Sequence, residues 1–226
     1  MAEEKTPYTP LHPEIFKYDA EFVQRFICEG VRAPTRENAK SCVKEVAEQL
    51  YQFRLFTEEF CKLLIEEAEH CGKWETNLEK VEEDHPFVPG LIDVCEPDTV
   101  VEFAEMPGLD DVYASVLKNH VQPILEGLWV TFKLQKWDPP AVRKYEPHVV
   151  SSMDLHYDLE TVSMVGYLSR DFVGGGTFFP RWNLTVGSHE NVIVGSVVVY
   201  PGGVSHEHSA HAITAGKRYM LSNSFY

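Results

Sequence analysis

Two short segments hold the residue types that bind metals in open sites. They are His156-Tyr157-Asp158, and His206-Glu207-His208 with His211 just beyond. On extended chain, residues two apart point to one face, so His156 and Asp158 would project together. A third ligand from the distant histidine segment would complete a face of two histidines and one carboxylate. Such a face leaves coordination positions open and suits non-haem iron(II) and oxygen chemistry. His206, His208 and His211 all compete for that third place. Arg218 is expected one strand further on, and a guanidinium holds a carboxylate through two charge-assisted hydrogen bonds. The combination reads as an iron(II) site with a carboxylate co-substrate, which points to a 2-oxoglutarate-dependent hydroxylase.

Each part alone has a plainer reading. A lone His-x-Asp arises by chance, three histidines can form a solvated loop or an adventitious zinc site, and Arg218 can be a surface charge. Gly174-Gly175-Gly176 could pass for a phosphate cradle, but no helix follows it, so the dinucleotide and P-loop readings fail. No G-x-S-x-G nucleophile elbow is present. What lifts the set is its order: ligand pair, glycine turn, apolar strand, histidine, then a cation.

The elements that must position these residues change character along the chain. Residues 1–13, with Pro7, Pro10 and Pro13, read as an extended arm. Residues 14–30 suggest one helix or two short ones ending at Gly30, and residues 43–51 a helix or a strand. The clearest helix starts at Thr57 as N-cap, carries Phe60, Leu63, Leu64 and Ala68 on one face, and stops at Gly72. Leu91–Val94 reads as a strand. A helix over 110–127 should kink or divide at Pro123. From Trp129 onward the pattern is strands: Val130–Leu134 by alternation, Ala141–Tyr145, Val162–Leu168, Thr177–Trp182, Val192–Tyr200 buried on both faces, and Arg218–Phe225. A polar loop fills 183–191. Helices followed by many short strands predict an α+β fold, a double-stranded β-helix (jelly-roll) with an N-terminal helical support. The expected division is an N-terminal extension with helical segments at 1–50 and a dioxygenase domain at 51–226. Within the latter, 51–128 is helical support and 129–226 the jelly-roll core.

Composition bounds the rest. The 226 residues are 44% hydrophobic and 12% aromatic, enough for a core. A net charge of -15 argues against nucleic acid or an anionic membrane as main partner. No segment approaches about 20 continuous apolar residues, the length of a transmembrane helix. The N-terminus shows no signal-peptide pattern, and the five cysteines, Cys28, Cys42, Cys61, Cys71 and Cys95, form no C-x-x-C pair. A cytoplasmic location is expected, or the endoplasmic reticulum lumen if a secretory segment belongs to the natural chain.

Longer motifs carry a resemblance. Val142-Arg143-Lys144-Tyr145 precedes His156, which stands eleven residues after the tyrosine. Gly174 to Trp182 reads GGGTFFPRW, Tyr200 to His208 reads YPGGVSHEH, and Gly216-Lys217-Arg218-Tyr219 follows. Together with Phe56 to Cys61 and Glu69 to Trp74, these segments resemble the C-terminal catalytic domain of procollagen lysyl hydroxylases. That family sits within the prolyl and lysyl hydroxylase group of iron(II)/2-oxoglutarate dioxygenases. The resemblance covers roughly residues 50–226.

It implies that His156, Asp158 and His208 are the iron ligands, His208 being the histidine ten residues before Arg218. It implies that Arg218 grips the distal carboxylate of 2-oxoglutarate and that Tyr145 hydrogen-bonds the same co-substrate. Fe(II), 2-oxoglutarate and O2 are the implied cofactors, with ascorbate as an accessory. The implied substrate is a protein or peptide, with lysine ahead of proline or a free amino acid, and a homodimer is suggested. A non-catalytic jelly-roll binding module is the competing class. Departures from the family pattern fall at Tyr157, Ser169 and Thr177, where a histidine, an asparagine and a cysteine are the familiar residues. The loop before the triple glycine is shorter and the loop after Trp182 longer than in the family pattern. These departures surround the metal and the pocket mouth, so they bear on substrate more than on iron.

Overall fold

The computed structural model describes residues 8–77, 82–84, 92–94 and 98–226. Its first half alternates helices with edge strands. These are α1 (Ala20–Phe26), α2 (Ala39–Cys42), β1 (Lys44–Ala47), β2 (Leu50–Arg54) and α3 (Glu58–Cys71). Then come β3 (Glu75–Asn77), β4 (Glu82–Asp84), β5 (Ile92–Val94), β6 (Asp98–Glu102), α4 (Leu109–Val116) and α5 (Gln122–Leu128). The second half is strands: β7 (Ala141–Tyr145), β8 (Met153–His156), β9 (Val162–Tyr167), β10 (Phe172–Gly174), β11 (Thr177–Phe179) and β12 (Leu184–Val186). The last are β13 (Ser196–Pro201), β14 (His208–Ala210), β15 (Ile213–Gly216) and β16 (Arg218–Phe225).

An eight-stranded sheet, ordered β1-β2-β13-β9-β16-β7-β6-β3, faces a four-stranded sheet ordered β12-β11-β14-β8. Every pairing is antiparallel. This is the α+β jelly-roll with helical support that the order of elements predicts. Alternation gives the large sheet two different faces. On β16, Tyr219, Leu221 and Phe225 pack into the main apolar core beneath the helices, while Arg218 and Met220 stand on the other face.

α3 anchors the helical side. Thr57 caps it by accepting from the Phe60 N–H at 3.4 Å, and Gly72 ends it at φ 65°, a conformation glycine adopts without strain. Phe60, Leu64 and Ala68 are buried, and Phe60 stacks on Phe56 with ring centroids 4.3 Å apart. Glu67 on the same helix is also fully buried. It accepts from the Tyr8 hydroxyl and from the N–H groups of Leu11 and His12, at 3.1 and 2.8 Å, and so ties the N-terminal arm down. Ile15, Phe22 and Phe26 share one core with Phe53, Phe56, Val197 and Leu221, so side chains on both sides of residue 50 pack together.

Several element boundaries differ from the sequence reading. Val130–Leu134 is not a strand: a turn from Trp129 to Phe132, bonded at 2.8 Å, leaves Val130 79% exposed. Residues 43–51 resolve into the β1–β2 hairpin rather than a helix, with Gln49 at φ 57° in its turn. The 110–127 helix divides as expected, through a wider π turn at Leu117–Val121 that precedes Pro123. Such a turn removes the demand for a proline N–H in the regular ladder. The 192–200 strand begins only at Ser196, Thr177–Trp182 shortens to β11, and the 183–191 loop contains β12. Ile92–Val94 pairs with Glu82–Asp84; Leu91 and Cys95 lie outside the described residues.

Candidate active site

His156 ends β8 and His208 opens β14, and the ladder between these strands sets the two directly opposite each other. Their ring centroids are 4.4 Å apart. Asp158 is not on the strand, as simple alternation had it, but in the loop that follows. The Gly203 N–H donates to its carbonyl at 2.7 Å and holds that loop in place. The Asp158 carboxylate lies 3.8 Å from Nε2 of His156 and 3.8 Å from Nε2 of His208.

The tautomer of each neutral ring is set by its other nitrogen. Nδ1 of His156 donates to the Asp154 carbonyl at 2.8 Å, and Nδ1 of His208 to the His206 carbonyl at 3.0 Å. A carbonyl can only accept, so each neutral ring presents a bare Nε2 towards Asp158. Burial also lowers the pKa of His208, against the pull of the Asp158 carboxylate, which favours the neutral ring. One ligand atom from each of the three residues lies within 4.8 Å of the others. Two nitrogens and an oxygen at this spacing fit one first-row ion, whose bonds to such donors are about 2 Å long. His206 and His211 stay out of the cluster. His206 is buried beside Trp182 and bonded to the Glu48 carbonyl at 3.2 Å, and His211 stacks on Phe178.

Arg218 stands at the start of β16, with β15 intervening between it and the His208 strand, so it is two strands on rather than one. It is 1% exposed, opposite Tyr145 in register, and 5.4 and 6.0 Å from the ring centres of Tyr145 and Tyr167. Nη2 reaches the Thr177 hydroxyl at 3.5 Å, while Nε and Nη1 have no partner. Burial lowers its pKa from the ordinary arginine value, opposed by the two phenols. An arginine so placed retains its charge and has two donor nitrogens unspent. The triple glycine makes room for it: a Cβ on Gly175, at φ +66°, would come 3.2 Å from Cδ of Arg218. A carboxylate would complete the fork, so the residues present fit a dicarboxylate co-substrate as well as an ion.

One cleft runs from the histidine–aspartate cluster to Tyr145 and Thr177, two residues that contact Arg218. It offers about 120 Å³ of free space and is lined by Tyr145, Thr177, His156, Asp158 and His208 among others. Three neighbours of the site lie outside the ligand-and-arginine order read from the sequence. Tyr200, 1% exposed on β13, donates its hydroxyl to Nε2 of His208 at 3.0 Å, with the Asp158 carboxylate close by. Tyr167 donates to Thr177 at 3.4 Å. Arg143 lines the same cleft farther from Arg218. Tyr200 alone could have been found from sequence, as a polar residue on a strand otherwise wholly apolar from Val197.

Comparison with known proteins now adds to the geometry. A family model described as the OGFOD2-like domain matches residues 5–87, a stretch that crosses residue 50 and ends before the metal cluster. The multifunctional procollagen lysine hydroxylase and glycosyltransferase of Caenorhabditis elegans is 28% identical over 184 residues, covering 79% of this chain and 24% of its own length. Human procollagen-lysine,2-oxoglutarate 5-dioxygenase 1 is 26% identical over 211 residues, covering 92% of this chain and 27% of its own. The chain thus spans about a quarter of the length of these curated relatives. A prolyl hydroxylase from Trichoplax adhaerens, solved with a hypoxia inducible factor peptide, superposes with a TM-score of 0.58 at 11% identity, covering 93% of this chain and 94% of that one. The collagen prolyl hydroxylase of Paramecium Bursaria Chlorella virus-1, in its 2OG complex, gives 0.57 at 15%, covering 79% and 96%. The fold is the jelly-roll of the 2-oxoglutarate oxygenases. Its relatives by sequence are the procollagen lysine hydroxylases, in agreement with the motif resemblance. No helix among the described residues is long and apolar enough to cross a membrane.

Proposed function

We propose that the chain is an iron(II)- and 2-oxoglutarate-dependent dioxygenase that hydroxylates an unactivated carbon of a peptide side chain, with lysine as the leading target. The observation that carries this is the unpaired, fully buried Arg218 set against Tyr145 and Thr177, two residues that line one cleft with the His156-Asp158-His208 face. His156, Asp158 and His208 would hold the iron, and Arg218 the distal carboxylate of 2-oxoglutarate, with Thr177 and Tyr145 beside it. Iron(II) with 2-oxoglutarate and dioxygen supplies an oxidant that places one oxygen atom on a C–H carbon and leaves succinate and carbon dioxide. The protein contributes position and a water-poor wall: Met153, Val165 and Met220 line the cleft between its polar ends. Lysine is favoured over proline by the relatives' names, since the sequence relatives are lysine hydroxylases and the structural neighbours prolyl hydroxylases.

Succinate release with iron(II), 2-oxoglutarate and lysine peptides, proline peptides or free amino acids tests the reading and ranks the substrates. His156→Ala, Asp158→Ala and His208→Ala should each abolish iron binding or turnover, while His211→Ala should keep activity. Loss of iron in His211→Ala with retention in His208→Ala would reverse the ligand assignment. We further propose a reducing, cytosolic setting, supported by free thiols at Cys28, Cys42, Cys61 and Cys71. The sequon at Asn183-Leu184-Thr185 should then carry no glycan, which mass spectrometry of the native protein reads directly.

A further inference from the structure

The cleft extends beyond the metal, along strands that the co-substrate does not need. Register pairs Arg218 with Tyr145, Met220 with Arg143, and Ser222 with Ala141. At about 3.3 Å per residue, Arg143 lies about 7 Å along β7 from Tyr145, and Ser222 about 13 Å along β16 from Arg218. Arg143, Ser163, Ser222 and Ser224 all line this far part of the cleft. A dicarboxylate held by Arg218 and the His156-Asp158-His208 cluster would leave that part to another molecule.

Counting hydrogen bonds there leaves donors unspent. Arg143 donates Nε to the Ser222 hydroxyl at 3.0 Å and Nη1 to Asp98 at 2.5 Å, so Nη2 is its remaining donor nitrogen. Ser222 accepts from Arg143 and keeps its own proton to give. Ser163 is 3% exposed and its hydroxyl has no partner. Asp98 balances the charge of Arg143, so this wall offers hydrogen-bond donors without net positive charge. That is the reverse of the Arg218 end, where no carboxylate among the described residues is paired with the guanidinium. An anion suits the Arg218 end; a neutral acceptor oxygen suits this one.

We propose that Arg143, Ser163 and Ser222 form a subsite for a main-chain carbonyl of the peptide substrate next to the residue being hydroxylated. The inference rests on the peptide-hydroxylase reading above. It makes these residues determinants of substrate binding, with no part in holding the metal or 2-oxoglutarate.

The test is peptide binding by calorimetry, without oxygen, to protein loaded with manganese(II) and 2-oxoglutarate, using whichever peptide supports succinate release. Ser163→Ala is the key variant, because its hydroxyl makes no bond in the free protein and its loss should leave the melting temperature unchanged or higher. Ser163→Ala and Ser222→Ala should each raise the peptide Kd about five- to tenfold while 2-oxoglutarate affinity stays within about twofold. Peptide affinities equal to wild type in both variants would overturn the subsite. So would a free amino acid binding more tightly than its acetylated amide, with that advantage lost in Arg143→Met, since the occupant would then be a carboxylate. If no peptide or free amino acid raises succinate release above the substrate-free rate of the wild-type protein, the functional reading itself fails, an outcome distinct from either of these.

Discussion

Lys144 and Arg218 are buried cations on the same ladder, one residue out of register, so alternation sends them to opposite faces of the large sheet. Lys144, 8% exposed, faces the helices. Its ammonium lies 3.1 Å from Glu69 and 4.0 Å from the centre of the Trp74 ring, and Glu69 also accepts from the Tyr219 hydroxyl at 2.7 Å. Arg218, 1% exposed, lies on the cleft side of the sheet behind Tyr145 and Thr177, with two nitrogens unpaired. A buried charge is costly unless compensated, so the helical face has met that cost from within the chain and the cleft face has not. The contrast separates a cation compensated within the chain from one with donor capacity unspent.

The largest effect that would sharpen this contrast is at Arg218. Arg218→Ala should weaken 2-oxoglutarate binding by about 2–5 kcal/mol, the scale for truncating a buried hydrogen-bonded charge pair, and should not lower thermal stability. Titration of 2-oxoglutarate against iron-loaded protein measures it. Lys217→Ala, altering a half-exposed neighbour paired to Glu146 at 2.9 Å, should be mild in the same assay. Equal losses at both positions would break the assignment.

Lys144→Ala should behave in the opposite way. Removing it strips Glu69 of its cation and should cost about 1–3 kcal/mol in denaturant unfolding, with 2-oxoglutarate affinity unchanged. A matching loss of co-substrate binding would mean that the two faces are not independent.

Tyr200→Phe should fall between these two in kind. Its hydroxyl donates to Nε2 of His208 in the free protein; were that nitrogen to take an ion, the nearby Asp158 carboxylate could accept the same proton. Loss of such an outer hydrogen bond should weaken iron or manganese affinity about tenfold, read by metal titration, with stability little changed.

The smallest effect is in acid. Burial alone would raise the Glu69 carboxyl, but the Tyr219 and Lys144 contacts outweigh it and hold the pKa below the ordinary value. A depressed folded pKa contributes stability above the unfolded glutamate value of about 4.3, which is lost as pH falls through the folded value. Lys144→Met should therefore flatten the stability–pH curve below about pH 4 relative to wild type, as followed by urea unfolding. A curve of unchanged slope would remove Lys144 from the account.

Local chemistry was legible from residues alone where one short segment carries the whole signal. Thr57, the three- and four-residue apolar steps and Gly72 specify α3 because capping and periodicity are short-range, and alternation specifies β16 from Arg218 to Phe225. The same reasoning misjudged Val130–Leu134, where alternation persists across a turn with no strand partner for Val130. It also passed over β12, whose pairing with β11 is specified by its neighbour rather than by its own three residues. For the site, the sequence by itself supplied the candidate residues His156, Asp158, the later histidines and Arg218, and their order. Which histidine stands opposite His156 was decided by the β8–β14 register. That Arg218 is unpaired while Lys144 is paired, and that Arg143 and Ser163 share a wall with the metal, were decided only by tertiary structure. The physical reason is that unspent hydrogen-bonding capacity is a property of what surrounds a residue, and residues from β7, β9, β13, β14 and β16 become neighbours only when the sheets close.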